Sequence, residues 1–163
     1  MGVAAMPAAA VAGAAAATAA YLRIGEAPDA VLLRAAGSAL GLAEAFCGQV
    51  LVARDCEERV LPRAGWQRLS ATPVRGITAE AGLGIDIDAG GVGWVKVEGE
   101  TVVLYSAGLA AAWEALPEAV MQGVVLLAAH LFGARDGATM PPAAVAALWR
   151  PYRRMRLSVE VRA

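Results

Sequence analysis

The chain has 163 residues, which suits one domain with a core that needs no disulfide or metal to hold it together. Hydrophobic residues make up 58% of the sequence and charged residues 18%, and this balance excludes a disordered chain. The formal net charge is −1, which argues against a protein that binds nucleic acid mainly by neutralising phosphates.

Alanine dominates the first segment, residues 1–24. No Lys or Arg precedes Arg23, which argues against a signal peptide, and alanine is too weakly apolar to hold a helix in a membrane. Pro7 suits a first helical turn and Gly25 suits a helix end. We therefore predict an Ala-rich helix or ordered arm that needs a neighbour to pack on.

The second segment, residues 25–49, predicts a helix that begins at Pro28 and Asp29 and ends at Gly48. Its predicted apolar face, at helical spacing, consists of Leu32, Ala35, Ala36, Ala39, Leu42, Ala43 and Phe46. Gly37, Gly41 and Ala45 stand four residues apart, and each glycine costs about 1 kcal/mol relative to alanine in a helix. This stripe indicates the close approach of another backbone, either within the chain or in a subunit-packing contact between copies.

Residues 50–106 contain short runs of mixed polarity between prolines and glycines, a pattern that predicts a small antiparallel sheet. The runs span residues 54–61, 66–69, 74–79, 83–87, 92–97 and 101–105. Asp86 and Asp88 alternate with Ile85 and Ile87, as in a strand with one solvated face. The turn at residues 98–100 predicts a hairpin between the last two runs.

Helical patterns return in residues 107–150. Pro117 begins a helix with Glu118 in its first turn, and the apolar run 119–132 is too short to span a bilayer, so it predicts a buried central helix. Pro141 and Pro142 open a short helix that ends near Trp149. The fold class is therefore α+β in a single domain, residues 1–163. It is mainly helical, with a small antiparallel sheet inserted between N-terminal and C-terminal helices.

Side chains with catalytic potential are few. His130 has no nucleophile near it in sequence, and Asp86 and Asp88 lack a third metal ligand. Cys47 and Cys56 lack metal-ligand spacing and are interpreted as two reduced thiols. We therefore predict no enzyme activity, no cofactor and no metal; an enzyme that depends on His130 is the alternative.

Aromatic and basic residues are concentrated at the C-terminus, in and before the tail of residues 151–163. They are Trp149, Tyr152, Arg153, Arg154 and Arg156, followed by the alternating Leu157, Val159 and Val161. Trp, Tyr and Arg are the usual anchors of protein interfaces, and the alternation suits a strand added to a partner's sheet edge. A solvated chain end and a nucleic-acid contact are the alternatives to this predicted docking role.

Five sequence blocks appear in a recognisable order from about residue 21 to residue 157. They are YLRI, DAVLLRAAGSALGLAEAFCGQVLVARD, LPRAGWQRLSATPVRGI, and LPEAVMQGVVLLAAHLFGARDG, which leads to PPAAVAALWRPYRRMRL. The chain resembles the head–tail connector (adaptor) family of long-tailed double-stranded-DNA phages, prophages and gene transfer agents. An apolar helix containing a histidine, then a short helix closing on a W/Y-R tail, carries most of this resemblance. The Ala-rich start and the glycine-rich middle depart from the family pattern.

The resemblance implies a ring, usually dodecameric, that lies beneath the portal, extends the DNA channel and supports the stopper and tail. The implied partners are the portal protein, a stopper or tail-side neck protein, and further copies of this chain, with no membrane. Trp149 to Ala163 would dock on the portal, and assembly would take place in the bacterial cytoplasm. A stopper or tail-completion protein and a small DNA-binding module using the Arg-rich tail are the alternatives.

A channel that DNA slides through without sticking suits a near-neutral or acidic lining. The candidate exposed acidic positions are Glu57, Glu58, Asp86, Asp88, Glu98 and Glu100.

Overall fold

The computed structural model describes residues 2–78, 82–134 and 140–154. Within these ranges the elements in chain order are β1 (Gly2–Val3), α1 (Ala8–Leu22), α2 (Ala30–Cys47), β2 (Arg54–Val60), β3 (Gln67–Arg68), β4 (Val74–Ile77), β5 (Gly84–Ile87), β6 (Gly93–Lys96), β7 (Thr101–Ala107), α3 (Glu118–Gly133) and α4 (Ala143–Trp149). Short 3-10 turns at Trp113–Ala115 and Arg150–Tyr152 precede α3 and follow α4. The predicted α+β class is confirmed.

The Ala-rich segment is a helix, α1, and its neighbours lie in the same chain. Ala14 and Ala15 are fully buried, and an ideal Cβ on Gly13 would lie 2.6 Å from Cδ1 of Trp113, so only glycine fits against this ring. The helix ends earlier than Gly25. Arg23 adopts the left-handed conformation at φ 57°, and its N–H and that of Ile24 bond back to Ala20 and Ala19, which closes the last turn.

The predicted ends of α2 are confirmed. Asp29 caps its start, with the carboxylate accepting from the Leu32 N–H at 2.8 Å, and Gly48 ends it at φ 65°. The predicted apolar face is wrong at Leu42, which is 50% exposed. Leu40 and Cys47, which the prediction left out, lie on the buried side of the helix instead. By length and composition alone α2 could cross a membrane; here Leu32 and Leu40 are fully buried in the helical core.

The β region contains two antiparallel sheets, whereas the sequence predicted one. One sheet has the order β1-β2-β7-β4 and the other the order β3-β6-β5. The predicted hairpin is therefore wrong: β7 pairs with β2 and β4, while β6 pairs with β3 and β5. β6 and β7 each have a partner strand on both edges, so they do not pair with each other. Residues 98–100 therefore connect one sheet to the other.

Two hydrophobic clusters organise the described residues. The helical cluster joins α1, α2, α3 and α4 around Val120 and Val124 of the predicted central helix. The second cluster lies between the two sheets, where Val95 and Leu69 meet Val103 and Tyr105. The fold therefore has a helical half and a β half, which are connected through the end of α2 and the start of β2.

Candidate interaction surfaces

The C-terminal segment, residues 149–154, is fixed to the body of the protein. Trp149 is only 3% exposed, and its Nε1 donates to the Val120 carbonyl at 3.2 Å. An ideal Cβ on Gly123 would lie 2.2 Å from that same nitrogen, so Gly123 provides the space for the indole ring. Trp149, which was predicted to take part in docking, therefore has its side chain in the helical core, and the docking role of the segment stays a prediction.

The two arginines that follow are held by specific contacts. Arg153 lies over the ring of Phe46, with its guanidinium carbon 5.7 Å from the ring centroid. Arg154 donates from its main-chain nitrogen to the Cys47 carbonyl at 2.7 Å and from Nη1 to the Gly90 carbonyl at 2.6 Å. The last described residue of this segment, Arg154, is thus held beside the end of α2 and the turn between β5 and β6.

Buried Gln49 also holds this segment, since its side-chain nitrogen donates to the Tyr152 carbonyl at 2.7 Å. Tyr152 is half-buried and Arg153 is exposed. The remaining predicted docking residues, Arg156, Leu157, Val159 and Val161, lie outside the described residues.

A second surface is the outer face of α2, which carries the predicted stripe. Gly37 touches α1, with an ideal Cβ 3.7 Å from Cγ1 of Val11. Gly41 has no atom within 4 Å of its ideal Cβ among the described residues, and Ala45 is exposed. The intramolecular alternative therefore accounts for Gly37 alone, while Gly41 and Ala45 lie on an open face with Leu42.

A third surface is the outer face of the four-stranded sheet. Val102 and Leu104 of the central strand β7 are 45% and 46% exposed. Next to them, Gly76 and Ser106 contribute to an open groove of about 580 Å³ that crosses β2, β7 and β4. Asp55 and Glu57 lie directly opposite Ser106 and Leu104 in the sheet register, so this apolar face has an acidic margin.

Two of the six candidate acidic positions are internal acceptors. Glu58 accepts from the Ser70 N–H at 2.9 Å, the Ser70 hydroxyl at 2.7 Å and the Tyr105 hydroxyl at 3.0 Å. Asp88 accepts from the Val92 N–H and from Nε1 of Trp94. Desolvation is the largest single effect on the pKa of its carboxyl and raises it, but these two hydrogen bonds, one from the Gly90 backbone and the charge of Arg68 together lower the pKa below its ordinary value. Glu57, Asp86, Glu98 and Glu100 are exposed, and Glu100 pairs with Arg59.

The Tyr105 hydroxyl also accepts from the Ala71 N–H at 3.1 Å, which ties β7 to the loop between β3 and β4. Burial raises the pKa of this hydroxyl to about 12. This network was not predicted from the sequence. The signal was present, because Glu58 alternates with Cys56 and Val60 on the inward face of β2, and an inward carboxylate requires hydrogen-bond donors.

A buried ion pair, also missed, connects the two halves of the fold. Arg54 at the start of β2 donates from Nη1 and Nη2 to the two carboxylate oxygens of Glu44 on α2, at 2.9 and 2.5 Å. Glu44 also accepts from the Leu51 N–H at 2.8 Å. The side chains are only 10% and 15% exposed, so this bidentate pair is largely shielded from water.

Groups with catalytic potential are dispersed. The described residues contain no group of three His, Cys, Asp or Glu that could hold a metal ion. Cys47 and Cys56 are buried free thiols, and burial raises the pKa of both, that of Cys47 to about 11, which suppresses the reactive thiolate. His130 is half-buried near the end of α3.

The fold has counterparts among solved structures. A chain in the neck of an empty gene transfer agent (GTA) particle, computed with C6 symmetry, is similar at 25% identity and a TM-score of 0.76, over 97% of this chain and 98% of that one. A chain in the virion of a native GTA particle is similar at 26% identity and a TM-score of 0.71, over 95% of each chain.

A chain in the neck of a native GTA particle, computed with C12 symmetry, is also similar, at 25% identity and a TM-score of 0.70, over 97% of this chain and 98% of that one. No protein-family model matches the sequence, and no curated protein matches it. The chain therefore shares its fold, over nearly its whole length, with neck chains of GTA particles.

Proposed function

We propose that this chain is a non-enzymatic structural protein in the neck of a phage-like particle, where its copies form a ring. The observation that carries the proposal is the near full-length similarity, at a TM-score of 0.76, to a chain in the neck of a GTA particle. The C6 and C12 symmetry of the similar necks supports a ring. The dispersal of His130, Cys47 and Cys56 supports a role without catalysis.

Within the neck we propose the position of the head–tail connector (adaptor), between the portal and the stopper. The supporting feature is the fixed position of Arg154, because a docking segment that starts from a defined point loses less entropy when it docks. The net charge of −1 suits a channel through which DNA passes without specific binding. Arg153 and Arg154 already make contacts within the fold, which weakens the case for a DNA-binding module.

The proposal is tested by imaging the necks of particles from a host in which a tagged copy replaces the native chain. We expect a ring of the tagged chain in contact with the portal. A ring separated from the portal by another protein would indicate a stopper or tail-completion role. Particles whose necks contain no tagged chain would refute the proposal.

A further inference from the structure

The proposed ring constrains how copies of this chain touch. In a closed ring of more than two subunits, each contact joins two different patches, one from each neighbour. A chain that forms such a ring therefore needs two complementary surfaces. The described residues provide two exposed apolar faces of this kind, one on α2 and one on the four-stranded sheet.

The outer face of α2 combines apolar character with one positive charge. Val31 and Leu42 are 38% and 50% exposed, and the exposed Gly41 and Ala45 lie on the same side. Arg34 is the charged residue of this face, and among the described residues no carboxylate lies within salt-bridge distance of it. Glu44, the acidic residue within α2, pairs with Arg54, and the carboxylate of Asp29 caps the start of the helix.

The outer face of the sheet has the opposite charge. Val102 and Leu104 form its apolar centre, and Asp55 and Glu57 form its margin. Neither of these carboxylates has a cationic partner among the described side chains. Arg59, which follows them on the same side of β2, pairs with Glu100. The face therefore has an uncompensated negative charge beside an exposed apolar strip.

The two faces point in different directions. Arg54 lies on the inward side of β2 and reaches Glu44 of α2, whereas Asp55 and Glu57 alternate to the outward side. The outer face of the sheet thus looks away from α2, and one chain cannot bring its own two faces together. A second copy can.

We propose that the outer face of α2 of one subunit packs against the outer face of the four-stranded sheet of the next. Leu42 covers Val102 and Leu104, Gly41 and Ala45 let the helix approach the sheet closely, and Arg34 pairs with Asp55 or Glu57. The inference rests on the proposed ring, and it assigns the surfaces that close it.

The first test is a cross-linking experiment on assembled particles. A full-length chain with Leu42→Cys and Leu104→Cys replaces the native chain, and purified particles are treated with a short bis-maleimide. Head-to-tail contact predicts a ladder of covalent oligomers beyond the dimer. A variant with only one of the two introduced cysteines should remain monomeric. Cys47 and Cys56 are buried and contribute little background.

The second test is charge reversal, scored as occupancy of the particle neck. Arg34→Glu places like charges at every contact and should lower occupancy by at least about tenfold. The double change Arg34→Glu with Glu57→Arg should restore occupancy. Arg63→Glu is the matched control, because this exposed residue lies beyond the other end of β2.

The outcomes separate this inference from the proposed function. If the double-cysteine chain occupies the neck but forms no ladder, or if the double charge change fails to restore occupancy, the assigned surfaces are wrong while the neck role stands. If the unmodified chain is absent from the neck, both proposals fall. Dimers formed by Leu42→Cys alone would indicate a two-fold contact and would also overturn the assignment.

Discussion

Two helical glycines in this chain have opposite roles. Gly123 of α3 lies against the ring of Trp149, where an ideal Cβ would be 2.2 Å from Nε1. Gly41 of α2 has no described atom within 4 Å of its ideal Cβ. Both interrupt an apolar helix, so sequence patterns alone cannot separate them; the difference depends on which helix crosses at each position.

We predict that replacing each of these glycines with alanine changes stability with opposite sign. Gly41→Ala should raise the free energy of unfolding of the free chain by about 1 kcal/mol, since alanine is the better helix former. Gly123→Ala gains the same propensity but displaces a packed indole, and overpacking of this kind costs about 1–3 kcal/mol. Urea unfolding of both variants measures the two values. Equal effects would contradict the close contact with Trp149.

The hydroxyl of Tyr105 should make the free energy of unfolding fall as the pH becomes strongly alkaline. Its pKa in the folded protein is about 12, above its ordinary value of 10.0, so the folded state holds the proton more tightly than the unfolded state. The resulting stability is fully present below pH 10 and is lost as the pH rises towards 12. Cys47, with a pKa raised from 9.0 to about 11, adds a loss that begins near pH 9.

We therefore expect the urea midpoint of the protein to fall steadily above pH 9. Tyr105→Phe should flatten that fall between pH 10 and 12, although it lowers stability at neutral pH by leaving the Ala71 N–H without its acceptor. The control is Tyr21→Phe, because Tyr21 is 53% exposed, and this variant should follow the unmodified chain. An unchanged slope in the Tyr105 variant would show that another group titrates.

At the scale of elements, the sequence predicted helices better than sheet pairing. Asp29, Gly48 and Pro117 marked helix ends because caps are local interactions between neighbours in sequence. Every predicted strand run contains a strand, yet the hairpin at residues 98–100 was wrong. Strand pairing depends on which partners occupy the edges, and β7 binds β2, more than forty residues earlier, by the complete register from Arg54 to Val60.

The ion pair between Glu44 and Arg54 should contribute most of the stability of the contact between α2 and the sheets. Glu44→Gln leaves the Arg54 guanidinium shielded without a counter-charge, which is expected to cost about 3 kcal/mol. The comparison is Glu100→Gln, which breaks the exposed pair with Arg59 and should cost less than about 1 kcal/mol. Chemical unfolding of both variants checks the difference. A similar loss in both would mean that shielding of the Glu44 pair contributes little.

At the scale of the whole molecule, the resemblance predicted more than the residues did. Periodicity and capping supported a helical protein with a small β region, whereas the ring and the neck came from the order of the sequence blocks. The residues of the predicted docking tail differ in their exposure in the structure. Trp149 is a core residue because Gly123 admits it, a pairing of distant residues that no local pattern indicates, while Arg153 stays exposed.

The tail gives a prediction for assembly. Deleting residues 157–163 should abolish attachment to the portal, while the truncated chain keeps the contacts that Arg154 makes with Cys47 and Gly90. Circular dichroism and the urea midpoint establish that the truncated chain folds. Particle imaging then measures neck occupancy, with Arg63→Glu as the full-length surface control. Normal occupancy of the truncated chain would show that portal docking uses another surface.

The two hydrogen bonds of Arg154 also determine how the protein bears mechanical load. One bond ends on the carbonyl of Cys47 at the end of α2, and the other ends on Gly90 beside β5 and β6. Tension on the chain beyond residue 154 is therefore shared between the helical half and the β half before it reaches the 3-10 turn at Arg150–Tyr152. A subunit pulled by its tail would move as one body, with the strain divided over two anchor points.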